Sequence, residues 1–177
     1  MNAVLQHPGY AFLACVMVAS LVLTPHSIAE SPEKKLRLIE FDGKMLVLNN
    51  QKIRHPFWLY EIIRAIGKPD RSVTKLNIIH TWDHHGIVAI QESPGTPITA
   101  FQIIYSSDSR SFAPAKPFAG EVVINGQRLA ASSNASDLSQ AGFTQSEVLT
   151  YYYKAVLEGV SLVAKYENGF HNIEIGK

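Results

Sequence analysis

Three histidines, an aspartate and a tryptophan crowd into HTWDHHGIVAI, His80 to Ile90. Imidazoles and carboxylates at this density could hold a metal ion or move a proton. A zinc site needs three or four ligands converging on one point. His80, Asp83, His84 and His85 could supply some of them. The spacing argues against it. The sequence has no H-E-x-x-H pair that would place two histidines on one helix face. Adjacent residues on a strand point to opposite faces, so His84 and His85 diverge unless a turn bends them together. An exposed hairpin tip accounts for the same residues without metal chemistry.

Other reactive constellations are equally thin. Serine, histidine and aspartate are all present, but no G-x-S-x-G context surrounds a serine. The SDS at Ser107–Ser109 falls in a stretch dense in Ser, Ala and Pro. Glu92, Asp108 and Glu121 could form a carboxylate pair for glycoside hydrolysis, yet nothing around them singles them out. No glycine-rich phosphate loop appears. The expectation is therefore no catalytic residue, no cofactor and no metal ligand, with a small hydrolase or metal protein the least favoured reading. Aromatic residues anchor many protein interfaces. Trp58, near a helix start and off its aliphatic stripe, and Trp82, beside the tip, are candidate partner-contact residues, together with Asp83, His84 and His85. Core packing is the competing account of both tryptophans.

Composition narrows the partners. Of 177 residues, 46% are hydrophobic and 18% charged, which suits a globular chain. The net charge of +1 gives no electrostatic case for nucleic acid or for an anionic membrane surface. Residues 1–29 contain no Lys, Arg, Asp or Glu, and YAFLACVMVASLVL, Tyr10 to Leu23, is a compact apolar run. Pro25 follows, with Ser27 and Ala29 at small-residue positions. This is the pattern of a secretory signal peptide cleaved near Ala29. It implies a periplasmic or secreted protein. An uncleaved anchor is the alternative, and would be the only membrane contact; the run is shorter than the roughly 20 apolar residues a span needs. Cys15, the single cysteine, lies inside this run. A lipoprotein cut before it would leave VMVASLVL exposed at the new N-terminus. After cleavage near Ala29 the chain holds no cysteine, which excludes disulfides and thiol chemistry.

The remaining chain repeats itself. FDGKMLVLNNQKI, Phe41 to Ile53, matches FAGEVVINGQRL, Phe118 to Leu129, in a copy one residue shorter. Asn49 corresponds to Asn125, Gln51 to Gln127, Lys52 to Arg128 and Ile53 to Leu129. Apolar residues running into NNQ or NGQ predict hairpins, because Asn and Gly tolerate the positive φ of tight turns. The ends align as well. Trp82, Asp83 and Gly86 match Tyr166, Glu167 and Gly169, while the histidines before Gly86 have no counterpart. Residues that vary at a tip suit recognition better than metal chemistry.

Helices and strands fill the interval. In HPFWLYEIIRAIGKPD, Leu59, Ile62, Ile63 and Ile66 form an apolar stripe at helical period. Pro56 fits the first turn and Gly67 the C-terminal cap. In the second copy NASDLSQAGF predicts a short helix ending at Gly142. Its Asn134-Ala135-Ser136 also fits a glycosylation acceptor, a triplet common by chance. TQSEVLTYYYKAVLEG, with Thr144 and Glu147 at capping-box spacing, reads as a second helix, although Tyr151, Tyr152 and Tyr153 also fit a strand. VTKLNIIHTW, GIVAIQE and ITAFQIIYS are strand candidates in the first copy, VSLVAKY and FHNIEIG in the second. The expected fold is α+β: two tandem modules of antiparallel meander with a helix packed on the sheet, after a signal segment. The expected boundaries are 1–29, 30–105, a linker at 106–117, and 118–177.

A helix followed by Ile66-Gly67-Lys68-Pro69, then a strand ending in Trp and a tight turn, resembles the modules of β-lactamase-inhibitor proteins. It is similar also to outer-membrane assembly lipoproteins of the same architecture, and to secreted bacterial immunity-type proteins. The second copy departs from the motif, since Gly142 is followed by Phe143 and Thr144. The resemblance covers about half the chain after the signal segment. It implies binding to another protein, a secreted toxin or an envelope component, without catalysis. An envelope assembly or maintenance role is the alternative. The binding surface of such modules varies, so no site residue carries over by position.

Overall fold

The computed structural model describes residues 35–106 and 112–176. The apolar run of residues 10–23 and the expected cleavage position lie outside them. After β1 (Leu38–Phe41), both matched stretches fold as hairpins: β2 (Met45–Leu48) with β3 (Gln51–Arg54), and β8 (Glu121–Ile124) with β9 (Gln127–Leu129). Each loop has two residues, Asn49-Asn50 and Asn125-Gly126, with φ of 49° and 66°, then 51° and 78°. Two consecutive positive φ values give the turn whose twist matches its flanking strands. This is why asparagine recurs at the same place. Asn49 does more: its amide donates to the carbonyl of Ala65 at 3.1 Å, tying the turn to the helix that follows.

The hairpins flank β1 in a five-stranded sheet, β3-β2-β1-β8-β9, in which β1 runs parallel to β8 and the other neighbours are antiparallel. Alternation sorts its faces. Ile39, Phe41, Leu46, Leu48, Ile53, Val122, Ile124 and Leu129 are buried. Each such side chain contributes about 1.5–3 kcal/mol by leaving water.

Helix α1 (Leu59–Ile66) buries Ile62, Ala65 and Ile66, with Leu59 and Ile63 packed partly against the core. The expected stripe is therefore its inner face. Its start differs: Pro56 precedes the helix, and the N-terminal cap is Trp58, whose N–H donates to Glu61 at 3.3 Å. Gly67, at φ 90°, ends it and donates to the carbonyl of Ile63 at 2.9 Å. Helix α2 (Ala135–Gln140) buries Leu138. Asn134 caps it, its side chain accepting from the Asp137 N–H at 3.3 Å, while the Asp137 carboxylate accepts from the Asn134 N–H at 2.8 Å. That reciprocal pair explains the NASD segment as a helix start.

Each helix leads into four antiparallel strands. After α1 come β4 (Arg71–Thr74), β5 (Ile78–Trp82), β6 (Ile87–Gln91) and β7 (Ile98–Ile104). After α2 come β10 (Thr144–Gln145), β11 (Tyr152–Leu157), β12 (Val160–Tyr166) and β13 (Phe170–Gly176). They join edge to edge through β7 and β13 into one eight-stranded sheet, β10-β11-β12-β13-β7-β6-β5-β4. The order is symmetric about that junction. The described residues thus form two sheets of thirteen strands with two short helices, an α+β fold dominated by sheet. The two copies share both sheets, and Lys34–Lys177 is a single compact unit. One core takes the inner residues of both sheets and both helices.

Three expectations need correction. VTKLNIIHTW is two strands, because the chain reverses at Lys75–Asn77, where Lys75 donates to the carbonyl of Asn77 at 2.9 Å. Leu76, 98% exposed at that turn, mimicked a strand interior. The helix expected from Thr144 is β10, a turn and β11. Tyr153 and Ala155 face inward while Lys154 and Val156 face outward, a period of two. Val148, which would have joined a helical stripe, is 87% exposed in the turn. The alignment of the copy ends also shifts. Asp83–Gly86 joins the second and third strands of its meander, whereas Glu167–Gly169 joins the third and fourth. Counted from the hairpin closures, Trp82 corresponds to Leu157, since Trp82 pairs with Ile87 and Leu157 with Val160.

Candidate functional site

The histidine-rich tip is the turn between β5 and β6. The carboxylate of Asp83 accepts from Arg71 Nε at 2.9 Å and Nη2 at 3.1 Å, and from the Ala115 N–H at 2.8 Å. Its own N–H donates to Asp70 at 2.6 Å, and its carbonyl accepts from Lys116 at 3.0 Å. The Arg71 hydrogen bond holds the Asp83 carboxyl below its ordinary pKa, against the opposing effect of burial. Asp83 is thus consumed by structure. Gly86 has φ 70°, and a Cβ there would lie 2.1 Å from the Phe118 nitrogen. Both the turn and the close approach require glycine.

Trp82 is 1% exposed, and its indole N–H donates to the Gly67 carbonyl at 2.9 Å, fastening β5 to the end of α1. His85 is buried too. Of the candidate contact residues, Trp82 and His85 are buried, Asp83 is partly buried in this hydrogen-bond network, and His84 is exposed. Trp58 is half-buried, its ring 6.4 Å from that of exposed Tyr60. Among the described residues no group of three or more His, Cys, Asp or Glu side chains could hold a metal ion.

His80 turns away from the tip into a buried relay. Its Nδ1 is 2.8 Å from the Ser72 hydroxyl and its Nε2 is 3.3 Å from Gln91 Oε1. Gln91 in turn donates to the Thr96 carbonyl at 2.5 Å. The relay satisfies polar groups that burial would otherwise penalise. A second pair sits at the sheet junction, with the Ser106 hydroxyl 2.7 Å from His171 Nδ1 and His171 Nε2 donating to the Glu167 carbonyl at 2.7 Å. Tyr105 lies beside it. Its ring stacks on Phe170 at 4.8 Å, its hydroxyl donates to the Leu129 carbonyl at 3.2 Å, and burial pushes its pKa well up.

The outer faces offer larger surfaces. On the five-stranded sheet one rung reads Lys52, Val47, Glu40, Val123, Arg128. Cationic side chains on both edge strands guard them against pairing with other chains. Shallow cavities of about 300 and 170 Å³ lie on this face beside Glu40 and Val47.

On the eight-stranded sheet the two halves differ. Over β4–β7 the outer face carries an apolar cluster: Ile79, Val88 and Ile104 are buried, with Phe112 packed on them. The segment Phe112–Phe118 runs across it. The carbonyls of Phe112 and Ala113 accept from the Thr81 hydroxyl at 3.2 Å and from Arg71 at 2.6 Å, and Phe118 donates to the Ile104 carbonyl at 2.6 Å. The described part of the expected linker is therefore a strap packed on the sheet. Over β11–β13 no strap crosses the same face among the described residues. Its rungs are Tyr152–Lys165–Asn172, Lys154–Val163–Glu174 and Val156–Ser161–Gly176. All are at least partly exposed, Val156 at 69%. The Tyr151 ring lies 4.8 Å from that of Tyr152, with the Lys165 ammonium 5.7 Å over it. Sequence reasoning missed this face. The signal was the alternation in KAVL, SLVAKY and NIEI, set against the unbroken apolar run IVAI of β6.

The class these features define is a sheet-dominated α+β protein, with Asp83, His80 and Tyr105 engaged in structural hydrogen bonds and a solvent-facing sheet surface over β11–β13. Within that class the chain belongs to the DUF7738 family, a domain of unknown function, which it matches over residues 38–139, from β1 into α2. Comparison with curated proteins and with solved structures finds no match.

Proposed function

We propose that this is a periplasmic or secreted protein-binding protein, inhibitor-like or immunity-like, that neutralises a partner by surface contact without catalysis. The observation that carries this reading is the open half of the eight-stranded sheet, where tyrosines, lysines and valines stand uncovered beside a half that the chain covers itself. Aromatic and aliphatic groups among polar ones make up the usual interface core. Two helix-plus-meander halves joined edge to edge into one eight-stranded sheet support the same reading, because a continuous sheet provides a rigid platform for contact.

The test is co-purification of the full chain with the product of the neighbouring gene, paired with a deletion strain exposed to sibling competitors. Stable co-purification and new sensitivity to those competitors are the expected results. A deletion strain as resistant as its parent defeats the immunity version, and an envelope defect without competitors points to assembly or maintenance instead.

A further inference from the structure

We infer that the open half of the eight-stranded sheet takes an acidic, partly apolar polypeptide segment; this rests on the protein-binding reading above. The first argument is charge. Lys154 and Lys165 stand on adjacent strands, one rung apart, Lys154 opposite Val163 and Lys165 opposite Tyr152. Diagonal neighbours of this kind lie about 7–8 Å apart. Carboxylates on alternate residues of an extended chain are about 7 Å apart, so they match. The carboxylate among these rungs, Glu174, already accepts from the Gln102 amide at 2.6 Å. Among the described residues no carboxylate pairs with Lys154. Lys165 has Glu167 at 3.6 Å, a loose and half-exposed pair that a ligand carboxylate can replace at little cost.

The second argument is shape and apolar content. Val156 and Val163 lie between and beyond the lysines, and the paired rings of Tyr151 and Tyr152 close one end. The Tyr151 ring beneath Lys165 holds that ammonium in place, which reduces the ordering cost of binding. The third argument is an internal precedent. The chain lays its own Phe112–Phe118 segment across the corresponding face of the other half. Counted from the hairpin closures, Ile79 under that strap corresponds to Lys154, and Val88 to Ser161. The same platform in the second half thus carries a cation and a hydroxyl where the first carries apolar seats. It suits an exchangeable, charged ligand and not a permanent cover.

Fluorescence anisotropy with labelled twelve-residue peptides tests this on the full chain as its host processes it. One peptide alternates Glu with Leu and Tyr, one alternates Lys with Leu and Tyr, and a single-stranded oligonucleotide is the third probe. The acidic peptide should bind, and more weakly at 500 than at 50 mM salt, on the order expected for ion pairs at a surface. Lys154→Glu with Lys165→Glu should weaken it at least about ten-fold, and Val156→Asp several-fold, while Lys52→Glu with Arg128→Glu on the other sheet changes nothing. All these side chains are outward-facing, and thermal melts of the variants check that they fold. Equal binding of the basic peptide, tighter binding of the oligonucleotide, or unchanged affinity in the lysine double variant overturns the inference. If a co-purified partner is held equally by that variant and the parent, the acidic assignment falls and the protein-binding reading stands. If neither holds a partner, the reading itself falls.

Discussion

The two halves of the eight-stranded sheet have the same strand order and opposite fates. In β4–β7 the outer face carries an apolar cluster, and the segment from Phe112 covers it. In β11–β13 the outer face alternates with polar residues and remains open. The inner faces hardly differ: Ile87, Ala89, Phe101 and Ile103 on one side, Leu162, Ala164, Ile173 and Ile175 on the other, all buried. Strand pairing and inner packing are therefore common to both halves. What separates them is the residue type at outward positions, which decides whether the chain covers a face or leaves it to solvent and partners.

The largest effect should come from equivalent hairpin tips. Gly86 and Gly159 both have positive φ, 70° and 85°. A Cβ at Gly86 would collide with Phe118 backbone, whereas a Cβ at Gly159 meets nothing within 4 Å. Gly86→Ala should cost at least about 4 kcal/mol, through displacement of the strap. Gly159→Ala should cost only about 1–2 kcal/mol, for the left-handed backbone alone. Urea unfolding of both variants measures the gap. Equal losses would mean that the strap does not lock the covered half.

Next in size is the strap anchor. Phe112→Ala removes the ring over Ile79, Val88 and Ile104 and should cost about 2–3 kcal/mol, below a fully buried Phe because the ring is only partly enclosed. Val156→Ala, on the open half, should stay within about 0.5 kcal/mol. A large loss at Val156 would show that the open face is part of the fold's stability, and the contrast between the halves would fail.

How much of this was legible in the sequence follows from the range of the interactions. The Asn-Asn and Asn-Gly turns and the α1 stripe are local. Residues two to four apart set them, and their sequence reading holds. The strands of the second copy were harder. Tyr151–Tyr153 satisfies both periods over a short window, and Thr144 and Glu147 stand at capping-box spacing although they lie in β10 and the turn after it. The tip failed for a different reason. Asp83 owes its role to Arg71, twelve residues back, and to Ala115, far along the chain. Trp82 owes its burial to the end of α1. Polar residues crowded in sequence suggested a site, and tertiary contacts turned them into a clasp. The outward residues of β11–β13, which the helical reading partly hid, are left as a contact surface among the described residues.

The clasp itself gives the smallest and most conditional effect. Asp83 ties β4, the β5–β6 turn and the strap together, and Arg71 keeps its carboxyl below the ordinary pKa of about 4. A carboxyl with a depressed folded-state pKa contributes stability that is complete above its unfolded pKa. That contribution is lost as pH falls through the folded value. Asp83→Asn should therefore cost about 1–2 kcal/mol near pH 7, where charge-assisted hydrogen bonds to Arg71 are weakened to neutral ones. As pH falls through the depressed folded-state value the parent loses the same interaction, so the two stabilities should converge. The open half has no counterpart to this clasp, so Lys154→Gln should leave the acid limb of the stability profile unchanged. Denaturant midpoints from pH 2 to 8 for the parent and both variants decide it. A gap between parent and Asp83→Asn that persists at pH 2 would assign the loss to altered packing of the turn, and the ion pair would cease to be what distinguishes the covered half.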